Sequence, residues 1–286
     1  MRWYKVKNMK KIIYIASLFV LMLSGVSMKA QSDVMSGYWD DVDFTDTTLV
    51  SSKAFSDKMV NYFYSFTDGD EHRFDSLSMA GLGALLEKSK ANMRVYEYVL
   101  EFALNGYASM GRDAVVDYLL NYPQLAEGEI TTEEGLRLDS ITEPYQKVKV
   151  GAQAPDFMGT TIDGKSYCMF DSQASHIIVV FWSTDCEYCH EFLTQIRKHL
   201  DLKSDFELVT FALAENQEEV SRTVKKKRLP GYHFYDELRW DSKAFLDYHI
   251  TSTPTVFVLD ESKNIVCKPY DWQELKDWLK SNNISY

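Results

Sequence analysis

The chain has 286 residues, 45% hydrophobic and 26% charged, a globular composition with length for one large or two ordinary domains. Thirteen glycines, six prolines and no block recurring at a fixed period exclude wholesale disorder, collagen-like structure, solenoids and propellers. The formal net charge of −11 repels phosphate backbones and argues against nucleic-acid binding.

Residues 1–30 carry Arg2, Lys5, Lys7, Lys10 and Lys11, an apolar run from Ile12 to about Val26, and small residues ahead of the polar Gln31-Ser32-Asp33. This order reads as a secretory signal peptide. The run is shorter than the ~20 residues that comfortably span a bilayer, so membrane contact is expected only if the signal stays uncleaved. Without those residues the chain is more acidic, and the acidity is uneven. Residues 31–145 hold 21 Asp and Glu against 8 Lys and Arg, whereas residues 146–286 hold 21 against 17.

Residues 31–145 are expected to form an all-α domain, with helices over 53–66, 70–88, 91–110 and 113–120, and Ser52, Thr67 and Ser89 as N-caps. Met93, Tyr96, Val99, Leu100, Phe102 and Ala103 recur at three- and four-residue spacing, the mark of one buried helix face. A further helix is expected over 131–141, and the texture changes at Glu143-Pro144. No nucleophile or metal-ligand constellation occurs in this half. It is expected to fold as a separate domain that positions partners, with a lid over the second half as the rival arrangement.

Residues 146–286 read as an α/β domain. Strands are expected over 177–182, 206–214, 255–259 and 265–268, with helices over 187–200, 217–228 and 272–281. Asp163-Gly164 and Ser262-Lys263-Asn264 mark hairpin-like turns, and Leu229-Pro230-Gly231 closes a helix. The run Lys225-Lys226-Lys227-Arg228 is expected to be a solvated helix face.

Four cysteines occur, at 168, 186, 189 and 267. Cys186-Glu187-Tyr188-Cys189 follows directly on the strand. At a helix start Cys186 faces unpaired backbone N–H groups and the positive end of the helix dipole, which stabilise a thiolate. Cys189 lies one turn on and is expected to be the more buried, resolving thiol. Two other chemistries compete. A zinc site would need two more ligands, and Cys168 and Cys267 are isolated on separate strands. Cys186-x-x-Cys189-His190 also spells the c-type haem attachment motif, although that motif belongs to an all-α setting. With neither, no metal or cofactor is required, and His190 is expected to face solvent.

Taken together, Val150-Gly151, Ala154-Pro155-Asp156-Phe157, Asp163-Gly164-Lys165, Phe181-Trp182-Ser183-Thr184-Asp185-Cys186-Glu187-Tyr188-Cys189 and Thr253-Pro254-Thr255 make residues 148–281 resemble the TlpA/ResA type of thioredoxin-like proteins, exported bacterial thiol–disulfide oxidoreductases. The resemblance implies a thioredoxin-like α/β fold with a central mixed sheet. It also implies a cis peptide at Thr253-Pro254 that shapes a substrate groove, protein thiols and disulfides as partners, a membrane thiol donor, and a periplasmic or otherwise exported location in a Gram-negative bacterium. The chain departs from that pattern in several places. Asp185 replaces an aromatic residue, Val180 takes the place of a buried acid, and Thr194 replaces a helix-kinking proline. The acid usual three residues after the second cysteine is absent, which leaves Glu191, Glu215 or His190 as proton acceptor, Glu191 foremost. Val179 and Ser183 stand where a peroxiredoxin site has Pro and Thr, which argues against peroxidase chemistry. A non-catalytic assembly protein with a thioredoxin fold is the alternative. The first half resembles the helical domain that precedes thioredoxin-like domains in secreted Gram-negative proteins.

Overall fold

The computed structural model describes residues 37–66, 71–122, 131–200, 202 and 206–284. The signal segment 1–30 and the Thr67 cap lie outside these residues. Among them no helix is long and apolar enough to cross a membrane. The chain divides into two compact units, Met1–Tyr96 and Glu97–Tyr286.

In the first unit, helix α1 (Lys53–Tyr64) starts where Ser52 accepts the Phe55 N–H, and α2 spans Glu71–Ser89. Its core is aromatic. Trp39 packs edge-on against Tyr62 and Phe55, with ring centroids 4.9 and 6.0 Å away, and Leu82, Leu85 and Leu86 of α2 are fully buried. Such rings bury large apolar areas with specific geometry. A side chain at Gly81 would meet the Phe66 ring at 2.5 Å. Ser89 is no N-cap. It ends α2, buried, and donates to Leu86 O, while Asn92, immediately before α3 (Met93–Ser109), accepts the Arg94 N–H.

In the second unit the rest of α3 is followed by α4 (Asp113–Leu120) and α5 (Thr132–Lys147). Thr131 and Glu134 form a reciprocal capping box at the start of α5. This helix runs through Pro144 instead of stopping near Ile141. The proline removes one donor, but the following turn is held from outside: Tyr145 is buried, its hydroxyl donates to Asn105 Oδ1 at 2.9 Å, and its ring stands edge-on to His249. Residues 97–147 therefore share a compact unit with the sheet, and the change of texture at Pro144 marks a change of secondary structure within that unit.

The hairpin β1 (Met158–Thr160) and β2 (Ser166–Cys168) turns at Asp163-Gly164, where Gly164 has φ +84°. The main sheet contains β3 (His176–Ser183), β4 (Phe206–Leu213), β5 (Tyr232–Tyr235), β6 (Thr255–Leu259) and β7 (Ile265–Cys267), in the order β5-β4-β3-β6-β7. Strands β3, β4 and β5 run parallel, while β6 and β7 are antiparallel additions. Helix α6 (Glu187–His199) follows β3, α7 (Gln217–Lys227) follows β4, the short α8 (Lys243–Asp247) precedes β6, and α9 (Trp272–Ser281) ends the described chain.

The apolar run of β3 sorts by strand alternation. Ile177, Val179 and Phe181 join Phe211, Phe245, Tyr248 and Phe257 on one face. Ile178, Val180 and Trp182 join Cys189, Leu193, Ile196 and Leu275 on the other. Strand β5 escapes sequence periodicity because it has four residues. Gly231 admits it, since a Cβ there would lie 2.1 Å from Leu208 O. Lys225 and Lys226 are exposed as expected, but Lys227 is half-buried and donates to His190 O and Thr194 Oγ1 at 2.9 and 2.8 Å.

Asp113 at the start of α4 pairs with Lys268 just after β7 at 2.9 Å, with side-chain exposures of 29% and 17%. Burial outweighs the lysine's attraction and pushes the Asp113 carboxyl above its usual range. Removing one partner strands the other in a largely dry site. Asp113→Ala and Lys268→Ala should each cost about 2 kcal/mol, with the double substitution well below their sum. Urea unfolding of all four proteins measures the cycle, and strict additivity would refute the coupling.

Burial also holds the imidazoles of His233 and His249 below the usual histidine range. Below pH ~6.5 the unfolded chain therefore binds more protons than the folded one. The contribution of these groups is complete above that pH and declines as pH falls toward their folded values. The urea midpoint should drop between pH 7.5 and 5.5, and the drop should be smaller in His233→Gln; equal slopes would contradict this assignment.

Candidate functional site: a dithiol at the end of the central strand

Strand β3 ends at Ser183, and the link to α6 is short and tied down. Thr184 N donates to Leu213 O at 3.0 Å, and Cys186 N donates to Ser183 O at 3.2 Å. Cys186 is the N-cap of α6, with φ −95° and ψ 108°, and its Sγ accepts the Cys189 N–H at 3.1 Å. This position gives a sulfur the orphan donors and positive end of a helix. The two cysteines are joined in a disulfide with Cα atoms 5.2 Å apart. Cys186 is half-buried, whereas Cys189 is 0% exposed, on the core face formed by Ile178, Val180 and Trp182. An attacking partner can therefore reach only one sulfur.

Strand β6 supplies the other side. The Thr253-Pro254 peptide is cis, and Thr253 O lies 3.7 Å from Cys186 Sγ. Thr255 Oγ1 donates to Ser252 O and closes the loop beneath it. The structure thus brings together Cys186, Cys189, Thr253 and Pro254.

The three acceptor candidates fare differently. Glu191 is exposed on α6 and lines the cleft beside the disulfide. Glu215 lies 3.3 Å from Arg239, engaged away from the sulfurs. His190 does not face solvent as expected. Its Nε2 donates to Thr184 O at 2.8 Å, its Nδ1 is buried, and its ring stands against Trp182. The carbonyl left open by the strand-to-helix turn draws the ring inward, and this engagement gives no support to its use in haem attachment. Val180 is fully buried among apolar side chains, so the floor under Cys189 is hydrocarbon where thioredoxin-like proteins can carry an acid.

Cys168 and Cys267 stay apart from the pair, half-buried on β2 and β7. Burial pushes the Cys267 thiol up to about 12, which suppresses its thiolate. Among the described residues, no cluster of three His, Cys, Asp or Glu is placed to hold a metal ion.

A cleft of about 620 Å³ opens beside the disulfide, between Tyr188 and Glu191 of α6, Thr253-Pro254, and Tyr270 to Gln273 ahead of and at the start of α9. Sequence reasoning missed Tyr270 and Trp272. No local pattern singles them out, because their role comes from a loop more than 80 residues beyond the dithiol folding back to share a cleft with Tyr188 and Thr253-Pro254.

A model of the AhpC/TSA family matches residues 150–268. The chain is similar to the thioredoxin-like protein YneN of Bacillus subtilis, 28% identical over 130 residues that cover 43% of this chain and 74% of that protein. It is similar also to the thiol-disulfide oxidoreductase ResA of Bacillus cereus, 24% identical over 126 residues, covering 43% and 70%. The sporulation thiol-disulfide oxidoreductase A of Bacillus subtilis is 28% identical over 134 residues, covering 43% and 78%. A crystal structure of a thioredoxin-like protein from Bacteroides caccae shares the fold, with a TM-score of 0.54 and 16% identity over 88% of this chain and 93% of that one. The C-terminal half of this chain is therefore a thioredoxin-like domain, similar to those of bacterial thiol–disulfide oxidoreductases.

Proposed function

We propose that this protein is an exported thiol–disulfide oxidoreductase that reduces or isomerises protein disulfides through Cys186 and Cys189. The observation that carries this reading is the asymmetric pair, with the reachable Cys186 Sγ at a helix N-terminus beside Thr253 O and Cys189 sealed beneath it.

In the reduced protein the Cys186 thiolate attacks one sulfur of a substrate disulfide. A Cys186–substrate disulfide forms, and the other substrate sulfur leaves as a thiolate that takes a proton. Cys189 then gives up its proton and attacks Cys186 Sγ, which expels the second substrate thiolate and closes the internal disulfide. Two electrons pass to the substrate. Glu191, at the cleft surface, is the proposed acceptor of the Cys189 proton through water. The Thr253 carbonyl and Pro254 align the substrate segment. Two electrons and two protons from a membrane thiol donor restore the dithiol, in the periplasm or another exported compartment. Residues 31–145 position partners and supply no catalytic group.

Insulin-disulfide reduction with dithiothreitol tests the chemistry. Cys186→Ser should lower the rate on the order of 10²-fold or more, and Cys189→Ser should accumulate mixed disulfides with partner proteins. Equal rates for wild type and Cys186→Ser would leave the non-catalytic assembly reading.

Glu187, exposed in the first turn of α6, opposes the positive helix end and limits stabilisation of the Cys186 thiolate. Redox titration in glutathione buffers should therefore give a potential nearer the roughly −270 mV of thioredoxin than the roughly −120 mV of the strongest dithiol oxidants. A value at the oxidising end would exclude a reductase.

A further inference from the structure

The dithiol cleft takes one of its lining residues from outside the thioredoxin-like domain. Ser109, the last residue of α3, lines the cleft. Two residues later Gly111 turns the chain with φ +66°, and it sits so close to Tyr270 that a Cβ would lie 2.7 Å from that side chain. Asp113 grips Lys268, two residues ahead of Tyr270, at 2.9 Å. The Tyr270 backbone is held from its other side, its N–H donating to Glu274 Oε2 at 2.8 Å. Tyr270 is thus braced at its side chain by Gly111 and at its backbone by Glu274 and the nearby Asp113–Lys268 pair, yet it remains 54% exposed and borders the cleft. Tyr188, across the cleft and next to the disulfide, is 79% exposed. Exposed aromatic side chains on a held backbone are good contact surfaces for a polypeptide, since they offer area at little cost in side-chain entropy.

The charge of the cleft has one sign. Glu191 and Asp271 line it, and none of its lining residues is Lys, Arg or His. Asp185 and Glu187 flank Cys186 and are exposed. A basic segment laid along Thr253-Pro254 would meet the Glu191 and Asp271 carboxylates, with those of Asp185 and Glu187 adding to the negative field around Cys186, and an acidic one would be repelled.

We infer that the α3–α4 corner braces one side of the substrate cleft and that, by fixing Tyr270 in the cleft that Tyr188 also lines, it makes the cleft select an extended, basic polypeptide segment around the substrate cysteine. The inference deepens the proposed function by naming its substrate class, and it rests on that reading only for the exchange that follows binding. Gly111 acts as a positioning residue through Tyr270, and Asp271 supplies part of the charge preference.

Binding can be tested without exchange, using the oxidised full-length protein and fluorescent peptides whose central S-methylcysteine is flanked by lysines, glutamines or glutamates. The lysine peptide should bind about tenfold more tightly than the glutamate peptide at low salt, with the preference shrinking as salt rises. Tyr270→Ala should weaken the lysine peptide about fivefold, and Tyr270→Phe should retain its affinity. Asp271→Asn, which keeps the helix cap, should narrow the lysine-over-glutamate ratio. Gly111→Ala should act like Tyr270→Ala, and because the alanine must adopt a positive φ, Tyr270→Ala decides the matter if that variant unfolds. Absence of binding, equal affinities for all three peptides, or an unchanged affinity in Tyr270→Ala would overturn the inference. Loss of insulin reduction by the wild-type protein, with the peptide preferences intact, would overturn the proposed chemistry alone.

Discussion

The burial of β3 on both faces is the constraint on which the rest of the catalytic half depends. Its residues Ile177 to Trp182 are all 0% exposed, and the strand pairs in parallel with β4 and antiparallel with β6. A strand enclosed in this way cannot shift register without moving each side chain to the opposite core. Antiparallel pairing also sets the end of β3 beside the beginning of β6, with Phe181 opposite Thr255. The helix that starts with Cys186 and the loop that carries Thr253-Pro254 are therefore the exit of one strand and the entry to its neighbour. The 3.7 Å approach of Cys186 Sγ to Thr253 O follows from sheet topology.

The same arrangement makes the two sulfurs unequal. Cys189 is one turn into an amphipathic helix whose apolar stripe continues through Phe192, Leu193 and Ile196, so it packs into the core. Cys186 is at the cap, where the helix has donors to spare. With Val180 beneath the pair and Glu187 beside it, the helix end is the main source of positive potential at Cys186, and it is partly offset. Basic residues Arg197, Lys198 and His199 in the last turn complement the opposite end of α6. Lys227, whose pKa burial lowers, ties the His190 and Thr194 part of the helix to α7. Thr194 donates to His190 O, so the place of a kinking proline is taken by a residue that satisfies the backbone locally.

The helical residues from Glu97 onward are joined to the sheet by specific polar contacts. Asp113 pairs with Lys268, and the Tyr145 ring, whose hydroxyl is held by Asn105 of α3, stands edge-on to His249; such groups bury poorly unless paired. Gly111 adds a close approach that tolerates no side chain. Contacts of this kind fix orientation more sharply than an apolar surface alone, which is what a wall of a binding cleft requires.

Much of this was legible in the sequence. The β3 run, the amphipathic α6 and the Cys186-x-x-Cys189 spacing at their junction are local patterns with local causes, and they point to a cysteine pair at a helix start, with the second cysteine the more buried, and to the fold class of the second half. Ser52 as a cap and Asp163-Gly164 as a turn are likewise decided by neighbouring residues. What failed or stayed hidden depends on distant partners. Ser89 lost its expected role to Asn92 because the next helix begins two residues later than assumed, and α5 passed Pro144 because Asn105 and His249 hold Tyr145. His190 turned inward toward a carbonyl whose direction is set by the sheet, and β5 is too short to announce itself without Leu208 beside Gly231. By itself the sequence determined the cysteine pair and its place at a strand-to-helix junction, since helix starts and strand periodicity are written in adjacent residues. Only the tertiary structure decided which surfaces surround that dithiol, because Tyr270, Gly111 and Thr253 meet through chain reversals and long-range packing that no short window of residues encodes.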